Sequence, residues 1–438
     1  MFAKWIELGL KKGFSDIEIY SVRNKSLSIE VYQGKVESLT NSDVTSVKIK
    51  GIYDEKLVSA STENLTDESI ERLFNRLILN AKALTVKEPA IIFEGSPEYA
   101  VVKENDFDFD SIPVEDKVKY LVDFEKAVLA CEYVKQVEAA SYSESFGETR
   151  IVNSKGLNLA KKHNFAYSMA YGIFEKDGDI KTGYEIKLAK SFDEFDAQKD
   201  AEATIANGMS KLGGQPLKTG KYPTVFSPKR FGDMLQVFSG LFSGEAAYRQ
   251  TTALKDKVGE KIAADIFNLW DDGLNENAPF QNAFDDEGVA TKVRKVIDGG
   301  VFTGFMHNLK TASIFKEEPT GNGFSSGIGA AGLYLEPGEQ SFDEMISSIE
   351  SGFYVTDLVG LHAGVNSTSG DFSLQAGGVY IKNGKLDHAV KMVVLSGNWF
   401  ELLKNVKGVA SDIKFDISGV GSPSVYVGDL TISGEENK

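Results

Sequence analysis

Apolar and polar residues alternate with a period of two along much of the first half of the chain, a pattern that predicts β-strands. Ahead of them, the apolar spacing at residues 2–12 predicts an amphipathic helix that ends at Gly13. A second helix is predicted to begin after Thr66, whose side chain can cap it. The predicted strands of this block are residues 16–22, 26–32, 36–40, 44–52 and 56–61. The buried face of the second helix is expected to contain Leu73, Leu77, Ala81 and Leu84.

The next block repeats this order of helix, sheet and helix. Proline-bearing residues 86–113 are predicted to form a loop that leads into a helix at 114–131. An acidic, alanine-rich helix is predicted at residues 193–212. The strands between these two helices are expected at residues 135–144, 147–153, 157–174 and 180–190. Glycines and prolines at residues 213–223 then indicate a domain boundary.

The second half of the chain is richer in glycine and in predicted strands. Strands are expected at residues 289–297, 353–359, 373–381, 386–396 and 424–432. Helices are expected at residues 227–243, from Ser341 to a stop at Gly352, and at residues 398–406. Long glycine-bearing loops occupy residues 273–288, 319–332 and 360–372, and loops on such a scaffold commonly carry function.

Helices and strands therefore occur in separate blocks, which favours an α+β fold over a doubly wound one. We expect an N-terminal domain of α/β type with helix–sheet–helix blocks at residues 1–215. A strand-rich C-terminal domain is expected at residues 221–438.

Composition and net charge exclude some classes of function, whereas they say little about the fold. The 438 residues are 42% hydrophobic and 26% charged, as in globular proteins, and the net charge is −16. Such a charge repels phosphate backbones and anionic lipids, so direct nucleic-acid or membrane binding is not expected. No stretch approaches the roughly 20 apolar residues of a membrane span, and a signal peptide is not predicted, so a cytoplasmic protein is expected. Cys131 is the one cysteine, which excludes an intramolecular disulfide.

Two sequence patterns look like catalytic or nucleotide-binding motifs. Residues 323–327 match G-x-S-x-G around Ser325, and Asp357 or Asp371 followed by His388 would complete a triad. That motif requires a strand before the serine and a helix after it, and neither is predicted here. Residues 327–332 match G-x-G-x-x-G, but a predicted strand follows, so no helix N-terminus is available for a pyrophosphate.

Metal chemistry has little support from residue spacing. The four histidines, His163, His307, His362 and His388, lie far apart in the chain and form no H-E-x-x-H motif. The acidic segments 271–273, 285–288 and 369–372 lack the spacing of an EF-hand. Turns built by Asp and Gly explain them, and a weak cation site is the alternative.

Short segments in a fixed order give the chain a resemblance to the TldD/PmbA family, whose members are described as modulators of DNA gyrase and as peptide-maturation proteases. In the second half, the matching segments are residues 248–249, 251–252, 257–260, 270–272, 284–288, 291, 298–301, 320–322, 369–372, 380–381, 383–384 and 396–398. A looser match in the first half covers residues 13–16, 33–37 and 59–62. Together they span nearly the whole chain.

The resemblance implies a subunit without zinc. TldD-type members carry H-E-x-x-x-H on a helix and a cysteine near the C-terminus, whereas this chain has Leu235, Gln236 and Gly240 at the motif positions and no cysteine at residues 419–423. Leucine cannot bind zinc, and glutamine cannot act as the general base that glutamate supplies. The chain is therefore similar to the PmbA/TldE kind, and zinc is expected only on a TldD-type partner.

Family resemblance also implies a partner role. A TldD-type and a TldE-type chain form a heterodimer that cuts unfolded or small peptides, so we expect a heterodimer here, or a homodimer if this chain pairs with itself. Candidate peptide-cleft residues are Thr320, Gly321, Asn322, Gly323, Ser369, Gly370 and Asp371. Glycines in these loops would let a peptide backbone approach closely, although simple hairpin connections would explain them equally well. Regulation of DNA gyrase through a protein contact is the alternative function, and a hydrolase using Ser325 is a third.

Overall fold

The structure of the protein is a computed structural model in which residues 1–85 and 88–435 are described. Residues 86–87 of the predicted loop and residues 436–438 of the second predicted domain lie outside the described residues. Helices and strands occur in separate blocks, so the predicted α+β class is confirmed. In the described part of the chain, no helix combines the length and apolar character needed to cross a membrane.

Two helix–sheet–helix blocks build the first half. The first contains α1 (Phe2–Lys11), β1 (Asp16–Tyr32), β2 (Lys35–Tyr53), β3 (Lys56–Thr62) and α2 (Asp67–Ala83). The second contains α3 (Val114–Leu129), β4 (Val134–Asn153), β5 (Asn158–Lys176), β6 (Asp179–Gly183), β7 (Ile186–Ala189) and α4 (Ala197–Met209). Both blocks share one sheet of order β3-β2-β1-β4-β5-β6, in which β7 also pairs with β5. The antiparallel β1–β4 pair joins them.

One face of this sheet carries the helices. Ile17 and Ile19 of β1 lie in a buried cluster with Phe74 of α2, and Ile29 further along the strand lies in a second cluster with Phe124 of α3. Every second side chain of β1 therefore points to this face, as the alternation of apolar and polar residues predicts. Thr66 caps α2 through a hydrogen bond from the Ser69 backbone N–H, also as expected.

Several predicted strand and helix boundaries are wrong. β1, β2 and β4 are each one long strand, although the sequence predicted two strands for each. In β1 the polar residues 23–25 interrupt the apolar alternation, yet their backbone pairs with both neighbouring strands. Conversely, the predicted strand 180–190 is two short strands. Leu84 is 42% exposed because it lies just beyond the end of α2.

The second half begins at β8 (Gly220–Phe226) and is rich in strands, as the sequence indicates, although many of them are only two or three residues long. Its helices are α5 (Pro228–Phe238), α6 (Gly244–Tyr248), α7 (Leu309–Phe315), α8 (Phe342–Ser347) and α9 (Trp399–Lys404). The remaining strands are β9 (Leu269–Asp271), β10 (Arg294–Asp298), β11 (Val301–Phe302), β12 (Gly323–Phe324), β13 (Gly327–Ile328), β14 (Leu333–Leu335), β15 (Ser351–Val359), β16 (Asp371–Lys382), β17 (Lys385–Asn398), β18 (Gly408–Val409), β19 (Lys414–Phe415), β20 (Gly421–Ser422) and β21 (Val425–Ser433).

Two six-stranded sheets enclose the core of this half. One has the order β17-β16-β15-β8-β21-β18, and an additional β17–β21 pairing closes five of its strands into a ring. The other has the order β11-β10-β9-β14-β20-β19. Helix α5 lies in the core, where the ring of Phe238 stacks on that of Trp399 with centroids 4.7 Å apart. The helix also contacts strands of both sheets, β15 in one and β20 in the other.

Two expectations for this half are corrected. Residues 289–293 are not a strand, since they form only a single bridge, between Ala290 and Phe284, and the strand begins at Arg294. Gly352 does not end the short helix, because α8 already ends at Ser347 and Gly352 pairs with Ile381 inside β15. The capping box of Ser341 and Glu344 and the hairpin at Asn383-Gly384 form as predicted.

Candidate functional site

Helix α5 carries two of the three positions at which the metal motif was sought, Leu235 and Gln236. Pro228 occupies its first turn, where the missing N–H costs nothing. Phe231, Leu235 and Phe238 follow at helical spacing and are buried in the core. Leu235 is therefore a packing residue. Gln236, one residue on, lies on the exposed side of the helix.

Gly240 does not lie on this helix. It belongs to the tight turn Ser239–Phe242 that continues α5, and it is exposed. The Ser239 hydroxyl donates a hydrogen bond to the Gln236 carbonyl oxygen at 2.7 Å, which holds the turn against the last residues of the helix. Of the three motif positions, Gln236 faces the cavity that lies beside the helix end.

This cavity, of about 210 Å³, lies between two segments that are remote in the sequence, the end of α5 and residues 418–420. One wall is the end of α5, with Gln236 and Ser239, and another is residues 418–420. Residues 419–420 begin the segment in which the C-terminal cysteine was expected. The remaining lining residues are Phe280, Asn282, Ala330, Ala331, Gly332 and Leu333. The general-base position, Gln236, and the segment in which the cysteine was expected therefore line one cavity, although they lie about 180 positions apart in the chain. The two histidine positions, Leu235 and Gly240, do not line it.

The chemistry of the cavity does not fit zinc. Its polar side chains are those of Gln236, Ser239, Asn282 and Ser418, which are amides and hydroxyls. Zinc sites in proteins use thiolates, imidazoles and carboxylates. Over residues 1–85 and 88–435, no group of three or more His, Cys, Asp or Glu side chains could hold a metal ion.

Asp416 shapes the turn at the cavity rim. Its Oδ1 accepts hydrogen bonds from the backbone N–H groups of Ser418 at 2.9 Å and Val420 at 3.2 Å. Gly419 between them has a φ of +84°, a conformation that favours glycine. The rim is therefore a hydrogen-bonded turn with a defined shape.

The cleft candidates at residues 320–323 form an internal support behind the cavity wall. Asn322 is fully buried, and its Nδ2 donates to Asp271 Oδ2 at 2.7 Å and to the Gly329 carbonyl at 2.9 Å. Gly321 has a φ of +77°, and a Cβ there would lie 2.6 Å from the Ala290 oxygen. Thr320 accepts a hydrogen bond from the His307 backbone N–H at 2.7 Å.

Asp271 connects this support to the cavity lining. Its Oδ1 accepts hydrogen bonds from the backbone N–H groups of Ala331 at 2.7 Å and Gly332 at 3.2 Å, two residues that line the cavity. Burial raises the pKa of the Asp271 carboxyl, although the Asn322 amide opposes that shift. One buried carboxylate thus holds both Asn322 and the cavity wall.

The acidic segment 285–288 forms a tight turn, one of the two alternatives that the sequence left open. Asp285 Oδ1 accepts hydrogen bonds from the backbone N–H groups of Glu287 and Val289, both at 2.9 Å. Its Oδ2 accepts from the Gly323 N–H at 2.8 Å, which fastens the loop 319–332 to this turn. Burial raises the pKa of the Asp285 carboxyl to about 7.

The other cleft candidates, residues 369–371, have different hydrogen-bond partners. Asp371 accepts hydrogen bonds from the Ser369 hydroxyl and the Asn398 amide, both at 2.8 Å, and these bonds lower the pKa of its carboxyl. Gly370 has a φ of +82° at the turn. The hydrogen bonds of residues 320–323 run instead to other segments, at residues 271, 285–286, 307 and 329, so the two segments are held independently. A role of either segment in peptide binding stays a prediction.

Each residue of the suggested serine triad has hydrogen-bond or ion-pair partners outside the triad. Ser325 donates a hydrogen bond to Asp286 Oδ2 at 2.9 Å. His388 lies against its neighbour Asp387, with Nδ1 and Oδ2 2.7 Å apart. The two candidate acids have partners of their own. Asp357 pairs with Arg230, and Asp371 accepts hydrogen bonds from Ser369 and Asn398. Strand β14, and no helix, follows the glycine run at residues 327–332, as predicted.

A contact between the two halves of the chain has no signal in the sequence. The ring of Phe280, which lines the cavity, packs against Phe165 of β5 with centroids 4.9 Å apart. Lys161 of β5 lies 3.3 Å from Asp286 Oδ1, and the lysine lowers the pKa of that carboxyl. The open face of the N-terminal sheet therefore lies beside the cavity.

Comparison with known families accounts for most of the chain. Residues 17–81 match domain 1 of the PmbA/TldA metallopeptidases, residues 107–211 match the central domain, and residues 219–434 match the C-terminal domain. The chain belongs to the PmbA/TldD family. The resemblance given by its short segments is therefore confirmed.

Several similar proteins match over nearly their whole length. The metalloprotease PmbA of Escherichia coli O157:H7 is 24% identical over 442 residues, which cover 98% of this chain and 94% of the relative. The crystal structure of a proposed modulator of a DNA gyrase from Thermotoga maritima is 28% identical, with a TM-score of 0.91 and 99% of both chains covered. TldE from Thermococcus kodakarensis has the same fold, with 24% identity and a TM-score of 0.87 over 99% of this chain and 100% of that one.

Proposed function

We propose that this PmbA/TldD family member is the non-catalytic, PmbA/TldE-like subunit of a TldD/TldE-type zinc metallopeptidase that acts on unfolded or small peptides in the cytoplasm. The observation that carries the proposal is the cavity at the end of α5. Gln236 lines it at the position of the general base, Gly419 and Val420 line it in the segment where the cysteine ligand would be needed, and the other polar groups nearby include the hydroxyls of Ser239 and Ser418. A water molecule there would meet amide and hydroxyl groups, which cannot deprotonate it at neutral pH.

The proposed partner is a TldD-type chain that supplies zinc and the catalytic residues, while this chain completes the peptide cleft. Whole-length likeness to PmbA and to TldE supports this assignment. The open face of the N-terminal sheet beside the cavity provides a surface along which an extended peptide could lie, through contacts that depend little on sequence. Self-pairing into a homodimer is the alternative assembly.

Co-expression with a TldD-type chain from the same genome tests the proposal. We expect the two chains to co-purify and to cleave an unstructured casein-derived peptide, and we expect a chelator to abolish the cleavage. This chain alone should be inactive. As a control, the TldD-type chain alone should cleave more slowly than the complex. Chelator-sensitive cleavage by this chain alone, or the lack of any complex, would overturn the proposal.

Regulation of DNA gyrase is a second candidate, favoured by the Thermotoga maritima protein, which is described as a proposed modulator of a DNA gyrase. The net charge of −16 argues against contact with DNA and allows contact with a basic protein surface. A pull-down with purified gyrase subunits, repeated at rising salt, separates the two candidates. Salt-sensitive capture of a gyrase subunit without effect on peptide cleavage would favour this second function.

A further inference from the structure

Strand β2 has a free edge, and strands β1 and β4 separate it from β5, the strand that packs beside the cavity at α5. On one side it pairs with β1 along its whole length, and on the other side β3 covers only Val47 to Tyr53. β3 ends at Thr62, opposite Val47, and within the described residues no strand pairs with the outer edge of residues 36–46. Two apolar side chains there, Leu39 and Val44, are 49% and 42% exposed. Proteins usually protect such edges, because free N–H and C=O groups bind other strands.

The register shows which backbone groups of this edge point outward. Asp54 and Glu55, both with positive φ, form a two-residue turn, so Tyr53 and Lys56 form the hydrogen-bonded pair that closes it. Hydrogen bonding alternates along an antiparallel strand, and the β2–β3 pairing has no register shift. The outward positions therefore continue from Val47 through residues 45, 43, 41 and 39. Each presents an N–H and a C=O to solvent.

A cavity of about 410 Å³ opens beside this edge, on the face of the sheet that carries the helices. Asn41, at the edge, pairs with Leu27 of β1, and Leu27 pairs with Glu144 of β4. All three residues line the cavity, and they form one row across the sheet. A residue added opposite Asn41 would place its side chain on the same face and extend this row into the cavity.

The cavity is apolar at its walls and charged at its floor. Phe107, Phe109, Phe146, Ile112 and Val114 contribute the apolar lining. Two buried residues at the floor, Lys117 and Glu144, form an ion pair. Lys117 Nζ also donates to the Phe109 carbonyl at 2.8 Å, and the Tyr142 hydroxyl donates to Glu144 Oε1 at 2.8 Å. The volume lies within the range of protein sites that bind organic ligands.

The charges of the residues that line the cavity indicate which kind of side chain it can bind. The lining contains four basic and four acidic residues, so it is neutral overall, in contrast to the chain as a whole. Lys25 pairs with Asp110, and Arg23 makes two hydrogen bonds to the edge residue Asp43, at 2.9 and 2.7 Å. The apolar walls therefore suit an uncharged aromatic side chain. The net charge of −16 attracts basic residues on either side of it.

We propose that residues 39–45 of β2 and the adjoining cavity form a docking site for an extended polypeptide, which pairs with the strand edge and inserts an aromatic side chain into the cavity. This inference goes beyond the proposed function, because it concerns the isolated chain and needs neither zinc nor a partner subunit. Main-chain hydrogen bonds supply affinity, and the cavity supplies the preference for an aromatic residue flanked by basic ones.

Fluorescence anisotropy with the isolated full chain tests the site. The probe is a fluorescein-labelled peptide, Gly-Lys-Thr-Lys-Trp-Lys-Thr-Lys-Gly, whose tryptophan and threonines share one face in an extended conformation. We expect saturable binding that weakens at least about tenfold when tryptophan is replaced by alanine. A version N-methylated at alternate amides should lose binding to a similar extent, because it cannot pair with the edge.

Asn41→Pro is the matched change in the protein, with Asn41→Ala as its control. The Asn41 N–H points outward, so proline removes an edge donor without breaking the β1–β2 ladder. We expect Asn41→Pro to weaken binding at least about tenfold and Asn41→Ala to weaken it less than about threefold. Circular dichroism checks that both variants keep the fold.

Three results would overturn the assignment. The first is the absence of saturable binding, and the second is binding that neither Asn41→Pro nor N-methylation weakens. The third is a dimer in sedimentation velocity that Asn41→Pro dissociates, which would show that a second copy of the chain occupies the edge. None of them depends on the cleavage assay, so failure of this inference is distinguishable from failure of the proposed function.

Discussion

The Asn322 side chain donates a hydrogen bond to the Asp271 carboxylate, with Nδ2 2.7 Å from Oδ2, and both side chains are buried. The remaining Asp271 oxygen holds the backbone of Ala331 and Gly332. Two segments 51 residues apart are thereby joined behind the cavity at α5. The sequence predicted Asn322 as a candidate for contact with peptide, and in the structure its side chain is buried behind the cavity wall.

Removing this amide should destabilise the protein. Asn322→Ala leaves a buried carboxylate short of one donor, so we expect the free energy of unfolding to fall by about 1–3 kcal/mol. Chemical denaturation measures the change. Asn277→Ala, at an exposed position, is the control and should be nearly neutral. Equal stability of the two variants would contradict this account of Asn322.

Asp285 should make stability depend on pH. Burial raises the pKa of its carboxyl from 3.8 to about 7, so the protonated form is favoured in the folded state. Its contribution to stability is therefore fully present below pH 3.8, decreases as pH rises, and is lost above about pH 7. Within that window the slope is about 1.4 kcal/mol per pH unit.

We expect Asp285→Asn to remove this slope, although the variant is less stable overall because it loses an acceptor for the Gly323 N–H. The measurement is urea unfolding of both proteins at several pH values between about 4.5 and 7.5, a range that covers the decrease and ends just above the raised pKa. Stability of the wild type relative to the variant should decrease as pH rises. Asp106→Asn, at an exposed carboxyl, should keep the wild-type slope. Parallel curves for wild type and Asp285→Asn would refute the prediction.

Zinc content tests the chemistry of the cavity directly. Amides and hydroxyls bind zinc too weakly to retain it, so the isolated chain should contain less than one equivalent after mild purification. Elemental analysis by mass spectrometry measures this, with a TldD-type chain prepared in the same way as the positive control. Stoichiometric zinc held by side chains of this protein would contradict the prediction.

The contact between the two halves should depend on Lys161. Lys161→Gln removes the ion pair with Asp286 and the hydrogen bond to the Phe284 carbonyl at 3.2 Å. Both charged groups are largely buried, and we expect a loss of about 1.5–3 kcal/mol in the free energy of unfolding. Lys162→Gln changes the exposed neighbour and is the matched control. A loss of equal size in both variants would mean that the ion pair contributes little.

The amino-acid sequence by itself determined the local features of this protein. Alternation of apolar residues predicted the strands, and the caps at Thr66 and Ser341 and the turn at Asn383-Gly384 were identified from residue type. These features depend on neighbours in the chain, so the physical causes lie within a few residues. The same locality explains the error in β1, where polar residues 23–25 interrupt the pattern although the backbone ladder continues.

Only the tertiary structure decided what the candidate site is. Residue types at positions 235, 236 and 240 indicated that metal ligands are absent, but not that Leu235 is core, that Gln236 lines a cavity, or that residues 418–420 form its opposite wall. The burial of Asn322 and the raised pKa of Asp285 likewise follow from contacts with distant segments. Desolvation and long-range hydrogen bonds arise when remote parts of the chain pack together, and no local pattern encodes them.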